Sequence, residues 1–281
     1  MSSNPLEAVD IARDYYNSED ADHFYSTVWG GEDIHIGIYL SADEPVFNAS
    51  LRTQERMITH AEKLSKDSRV IDLGSGYGGS ARYLANRFGC HVVAYNLSEV
   101  ENDRARELNR EQQLDELIDV VDGNFEELPY KNEQFDLVWS QDAFLHSPDR
   151  EQVIKEASRV LKPGGDFIFT DPMQSDNCPE GVLQPILNRI HLESMASPRF
   201  YKSVAEKHSL KFIRFEELTE HLEKHYAAIL RETQKNEKEL QANVSKEYLE
   251  NMKTGLQHWI NGAQKEFLSW GIFHFQKPSG E

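Results

Sequence analysis

The sequence predicts an α/β fold: a doubly wound, mostly parallel seven-stranded sheet flanked by helices, with an N-terminal lid and helical insertions late in the chain. Three observations predict it. Between Arg69 and Asp171, short apolar runs alternate with stretches at helical spacing, and such alternation builds βαβ units. The run RVIDL (69–73) ends in a glycine-rich turn, GSGYGG (74–79), that opens a helix. Two further strand-like runs, KFIRFEEL (211–218) and LSWGIFHFQK (268–277), bracket a long stretch of helical spacing.

Residues 1–66 read as a mostly helical lid segment with a loop around Trp29–Ser41. In FNASLRTQERMITHAEKL (47–64), Leu51, Met57, Ile58 and Leu64 recur on one side of a helix. After the glycine turn come a helix, SARYLANRF (80–88), a strand, HVVAYNL (91–97), and a charged helix, EVENDRARELNREQQL (99–114). IDVVDG (118–123), FDLVWSQD (135–142) and GDFIFTD (165–171) are further strands, with the helix REQVIKEASRVLK (150–162) between the last two. Residues 67–281 then make one domain, its helical cap occupying about 173–210 and 219–266. In parallel sheets ligands gather at the carboxyl ends of the strands.

Charge narrows the partners. Lys and Arg total 30 against 48 Asp and Glu, a formal net of −18. Such a surface repels phosphate backbones and anionic membranes, so neither nucleic acid nor membrane is expected as a partner. Cys90 and Cys178 sit in no CxxC or Cys/His pattern, which argues against a disulfide framework and structural zinc. The N-terminus shows no basic and apolar leader, and no window approaches a membrane span. A soluble, cytoplasmic protein is expected.

Gly74, Gly76 and Gly79 alone satisfy the GxGxxG of a dinucleotide site, and a nicotinamide-dependent oxidoreductase is the alternative from another class. Asp72 separates the readings. A dinucleotide loop approaches a pyrophosphate, whereas a carboxylate two residues before the first glycine attracts the ammonium of a cationic ligand. As D-x-G-x-G-x-G, residues Asp72, Gly74, Gly76 and Gly78 resemble motif I of class I S-adenosylmethionine-dependent methyltransferases. GNFEELPYKNEQFDLVWS (123–140) resembles their G-D-x-x-x-L-P-F…FD-x-V pattern, with Asn124 in place of the usual aspartate. RVLKPGGDFIFTD (159–171) resembles their L-x-P-G-G element. At YNLS (95–98), Asn96 replaces the acid that often holds the ribose hydroxyls. The resemblance implies a Rossmann-like class I methyltransferase fold, S-adenosyl-L-methionine as donor, S-adenosyl-L-homocysteine as product, and no metal. It implies a donor site of Asp72, Gly74, Ser75, Gly76, Asn96, Leu97, Asn124, Phe125 and Gln141, with Phe125 against the adenine and Gln141 facing the methionine end.

Where DNA and RNA amino-methyltransferases carry an N/D-P-P-Y/F/W element, this chain reads SQDAFLH (140–146). With the acidic surface, that favours a small-molecule acceptor. Asp142 and His146 are four apart at the start of an expected helix and would share a face. The carboxylate suits an amine, and the histidine suits proton relay; capping and packing are the plainer roles for both. Asp171, Pro172 and Met173 end the fifth strand facing the same space, with capping equally open for Asp171.

YYNSEDADHFYSTVWGGEDIHIGIY (15–39) and DPMQSDNCPEGVLQPILNRIHLESMASPRFY (171–201) resemble the N-methyltransferases that convert sarcosine and dimethylglycine to glycine betaine. That resemblance implies a small secondary or tertiary amino acid as acceptor. Phosphoethanolamine, glycine and small C- or O-methyl acceptors are the neighbouring alternatives, and a homodimer stays open. Trp29, Tyr25 and Tyr39 are then candidates to face a cationic nitrogen. Tyr39 could relay the proton with His146, and Arg189 or Arg199 could meet the substrate carboxylate. Trp29–Tyr39 is expected to cross the open sheet edge and close the site, its glycines permitting close backbone approach.

Overall fold

The computed structural model describes residues 5–29, 32–61, 63–190 and 192–279. Gly30 and Gly31, to which the sequence assigned a close approach, lie outside the described residues. The main sheet comprises β1 (Arg69–Leu73), β2 (His91–Asn96), β3 (Ile118–Asp122), β4 (Phe135–Gln141), β5 (Leu161–Thr170), β7 (Lys211–Glu217) and β9 (Gly271–Gln276). Their spatial order is β3-β2-β1-β4-β5-β9-β7. The first five are parallel, and β9 runs antiparallel to both of its neighbours. Two short strands, β6 (Met173–Gln174) and β8 (Leu268–Ser269), form a separate antiparallel ladder.

Strand residues alternate between two cores, as the pleat requires. Ile71, Val93, Val138 and Phe167 face one side, with Val153, Ile154 and Tyr201. Val70, Val92, Leu137 and Ile168 face the other, with Met57, Ala81 and Leu84. Burial on both faces explains why these strands read as unbroken apolar runs. The helices have local start signals. Ser98 caps α5 (Glu99–Glu111) by accepting from the Glu101 N–H, and Asp149 caps α6 (Arg150–Val160) by accepting from the Gln152 N–H. α4 (Gly79–Phe88) starts directly after the glycine loop.

Register places the site. Asp72 stands beside Ala94 of β2 and Trp139 of β4, so the loop after β1 emerges at the carboxyl edge where strand order reverses. That is the switch point at which open α/β sheets bind ligands.

The cap differs from the sequence expectation in two ways. α8 (Pro198–Lys207) is not cap: its Tyr201, Val204 and Ala205 are buried in a sheet core beside α6 residues. The helical pattern over 219–266 resolves into α9 (Glu220–Lys235), α10 (Glu237–Asn243) and α11 (Lys246–Gln264), broken at Asn236 and at Val244–Ser245. The remaining cap piece is α7 (Gln184–Arg189) and its flanking loops. At the N-terminus, α1 (Pro5–Tyr16) and α2 (Glu19–Val28) precede α3 (Val46–Ile58). Phe24, Val28, Trp29 and Tyr39 share a core with Ile229, Leu240, Leu249 and Met252. Chain start and late helices therefore form one lid over the sheet edge. Among the described residues, no helix is long and apolar enough to cross a membrane.

Candidate active site

The loop after β1 turns through three glycines in left-handed conformation, Gly74, Gly76 and Gly78, with φ of 75°, 52° and 76°. A Cβ at Gly74 would overlap the Ala143 Cβ and stand 3.5 Å from the Phe125 ring, so only glycine fits there. Beneath the loop Asp72 is 1% exposed, and its Oδ2 has no hydrogen-bond partner among the described residues. Burial, reinforced by nearby Asp33, pushes its pKa up to about 8. A buried carboxylate with an orphaned oxygen fits the ammonium of the donor, which would complete both its charge and its bonding.

Gly74, Gly76, Asn96, Leu97, Asn124, Phe125 and Gln141 line one cavity above it. Ser75 lies outside that lining, its hydroxyl buried without a partner among the described residues. Gln141 Oε1 accepts from the Ser80 hydroxyl and the Trp139 indole, while its amide nitrogen is buried with no partner among the described residues. That nitrogen is a donor left for a ligand. The Asn96 amide donates to Glu101 Oε2 at 2.8 Å, and Glu101 lines the same cavity. Glu101 thus restores a carboxyl group where Asn96 lacks one. Sequence reasoning missed it, although Ser98-x-x-Glu101 is a capping-box spacing that brings Glu101 back to the strand tip.

Residues 32–41 cross this loop as a strap. A Cβ on Gly79 would overlap Asp33 Oδ1. The strap is bonded along its length: Ile36 N–H to Asp142 Oδ2 at 2.7 Å, the Thr53 hydroxyl to the Ile36 carbonyl at 2.8 Å, and Ile38 N–H to the Ala49 carbonyl at 3.0 Å. At Gly37 a Cβ would lie 2.5 Å from the Ala49 Cβ, so the close approach predicted for a strap glycine occurs there.

Two expectations change as a result. Asp142 lines this cavity and a second, aromatic one beside it, yet both of its oxygens are taken: Oδ2 by the strap, Oδ1 by the Trp270 indole at 2.7 Å. It fastens the strap instead of holding an amine. Nor does it start a helix. Its φ is 53°, only a short turn covers Phe144–His146, and α6 begins at Arg150. Pro148 holds Ser147 extended and blocks an earlier start. Tyr39 lies behind His225 and outside the cavity lining; its hydroxyl meets His225 Nδ1 at 3.1 Å and its N–H donates to His221 Nδ1 at 3.1 Å. Tyr39 is a strut, not a proton relay. Tyr39→Phe should therefore cost about 1 kcal/mol of stability in denaturant melts and leave acceptor KM near wild type.

The second cavity is aromatic. Tyr16, Tyr25, Trp29, His146, His225 and Tyr226 are among its walls. Tyr25 and Trp29 rings stand 4.9 Å apart, and Trp29 and His225 5.7 Å. The Gly37 N–H donates to His225 Nδ1, which puts that neutral ring's proton on Nε2. Burial holds the His225 pKa down at about 3.

Tyr16 and His146 line the donor cavity, the aromatic cavity and an outer vestibule alike. The Tyr16 hydroxyl and His146 Nε2 are 2.9 Å apart. Burial, then Arg150 and Arg189, push the His146 pKa down to about 4, so the ring is neutral at neutral pH. Tyr16 was not singled out from the sequence; its signal was only the tandem tyrosines of the first flank.

Asp171, Pro172 and Met173 separate. Pro172 reaches the aromatic cavity. Asp171 is fully buried, accepting from the Leu145 N–H at 2.9 Å and the Tyr201 hydroxyl at 2.7 Å; it fixes the turn that carries His146. Pairing in β6 leaves Met173 in the sheet core. Of the two arginines, Arg189 lines the aromatic cavity and vestibule, whereas Arg199 is exposed on α8.

Comparison with known proteins identifies the family. A family described as methyltransferase domain matches residues 71–169. The sarcosine/dimethylglycine N-methyltransferase of Halorhodospira halochloris is 59% identical, over 96% of this chain and 97% of the relative. The enzyme of the same name from Aphanothece halophytica is 52% identical, over 95% and 96%. A crystal structure attributed to a sarcosine dimethylglycine methyltransferase from Galdieria sulphuraria superposes with a TM-score of 0.90 at 40% identity, covering 95% of this chain and all of that one. With the strap, glycine loop and sheet order spanned end to end by these relatives, the chain belongs to the sarcosine/dimethylglycine N-methyltransferase family.

Proposed function

We propose that the protein transfers methyl groups from S-adenosylmethionine to the nitrogen of sarcosine and dimethylglycine, giving dimethylglycine and glycine betaine. The observation that carries this reading is the junction at Tyr16 and His146, where a cavity above Asp72, whose Oδ2 has no partner among the described residues, meets one walled by Tyr25, Trp29 and Tyr226. When bound, S-adenosylmethionine supplies an electrophilic methyl group on a sulfonium.

The chain's own residues do the rest. Asp72 and the free Gln141 amide hold the donor's amino-acid end, and Glu101 with Asn96 meets its ribose. The strap, fastened by Asp142, excludes water and fixes the line of approach. Trp29, Tyr25 and Tyr226 surround the acceptor nitrogen, each ring contact with a cation being worth roughly 0.5–2 kcal/mol. The acceptor amine must be neutral to attack. Neutral His146, bonded to the Tyr16 hydroxyl, takes its proton and passes it toward the vestibule. A cytoplasmic setting accords with two free cysteines, Cys90 and Cys178.

The test is a methyl-labelled donor offered glycine, sarcosine, dimethylglycine and phosphoethanolamine in turn. Label should enter sarcosine and dimethylglycine; label in phosphoethanolamine alone, or in none of the four, overturns the reading.

A further inference from the structure

Arg189 is the last residue of α7 and borders both the aromatic cavity and the vestibule. Its Nη2 points at the Met252 thioether, 2.7 Å away, and a thioether is a weak acceptor. Its main electrostatic neighbours are Tyr15, Tyr25, Tyr248 and Tyr226, none of which cancels its charge. The side chain is half-buried, and a guanidinium has five N–H donors, so it keeps donors to offer an anion in the cavity.

The chain makes room for this placement. Gly255 lies well inside α11, where glycine is less favourable than alanine. A Cβ there would overlap Arg189 Cδ and Nε and stand 2.8 Å from Cζ. The arginine side chain lies directly across the bare backbone of that helix turn. Gly255 thus has a function that helix formation does not explain: it seats the guanidinium at the cavity wall.

We infer that Arg189, seated on Gly255, is the anchor for the acceptor's carboxylate, so that the site selects amino acids over amines lacking that group. The inference rests on the proposed N-methyl acceptor. A planar fork of donors matches a carboxylate with two parallel hydrogen bonds. The aromatic walls then hold the nitrogen while Arg189 fixes the other end, which orients the lone pair once the proton has left. Dimethylglycine's tertiary nitrogen and glycine betaine's quaternary one require such an arrangement, since neither neutral tertiary amine nor quaternary ammonium offers a proton.

The experiment compares dimethylglycine with N,N-dimethylethanolamine, which carries the same amine and no carboxylate, in the wild type, Arg189→Met, Arg189→Lys and Gly255→Ala. Arg189→Met should raise the KM for dimethylglycine by about 10- to 100-fold, leave dimethylethanolamine turnover unchanged and leave S-adenosylhomocysteine affinity intact. Arg189→Lys should fall between. Gly255→Ala should also raise that KM, with a Tm at or above wild type, because the added methyl improves helix propensity while displacing the flexible guanidinium. A wild-type KM for dimethylglycine in Arg189→Met overturns the inference, as does an equal loss for both acceptors. If the wild type itself fails to methylate dimethylglycine, the proposed function falls instead.

Discussion

Asp72→Asn is expected to weaken S-adenosylhomocysteine binding by about 10- to 100-fold at pH 8 and to abolish its pH dependence. The carboxyl group sits under the glycine loop with one oxygen unpartnered among the described residues, and burial raises its pKa to about 8. Below that pH the ligand-free protein carries a proton on Asp72, and pairing with the ligand's ammonium requires its loss. Each pH unit below 8 therefore costs about 1.4 kcal/mol, tenfold in Kd. Wild-type affinity should fall about tenfold per unit between pH 8 and pH 6 and level off above pH 8. Asp33, also raised by burial, already accepts from Gln54 at 2.9 Å and lies 3.6 Å from His35, so it is not the group left for the ligand. Calorimetry across pH reads this directly. Equal slopes in wild type and Asp72→Asn would place the titrating group elsewhere.

Asp142→Asn should cost a comparable amount at a different step. Both partners of Asp142, the Ile36 N–H and the Trp270 indole, are donors. A carboxylate accepts from both, whereas an amide accepts from one and points its own N–H at the other. Asparagine tolerates the left-handed backbone as well as aspartate does, so the substitution isolates the hydrogen bonds. Leaving one buried donor unpaired costs about 1–3 kcal/mol, read as a Tm lower by about 2–4 °C per kcal/mol. Because the lost bond fastens the strap over the glycine loop, kcat/KM should drop by about 10-fold or more for a loss of that size. A stable variant with wild-type kcat/KM would show that the strap needs no fastening at Ile36.

The parallel sheet, the glycine loop, Asp72 and Phe125 were legible in the sequence because each depends on local order: a period of two, a strand that stops at glycine, a helix that starts there. What stayed hidden was which neighbours claim each polar group in space. Asp142, Asp171 and Tyr39 looked available for substrate. Their lone pairs and hydroxyl are committed to Ile36 and Trp270, to Tyr201, and to His225, residues brought close only by the fold. Arg189 and Arg199 were indistinguishable along the chain, each near the start or end of a proline-led helix. They separate because α7 sits over the aromatic cavity and α8 against the sheet. Glu101 shows the reverse: its role follows from a capping spacing that was visible and went unread.

The most direct measurement is product analysis after a single turnover with isotope-labelled methyl donor and dimethylglycine. The account predicts glycine betaine with the labelled methyl on nitrogen, bonded alongside two unlabelled ones. Label on the carboxylate oxygen, or none in any product of dimethylglycine, would contradict it.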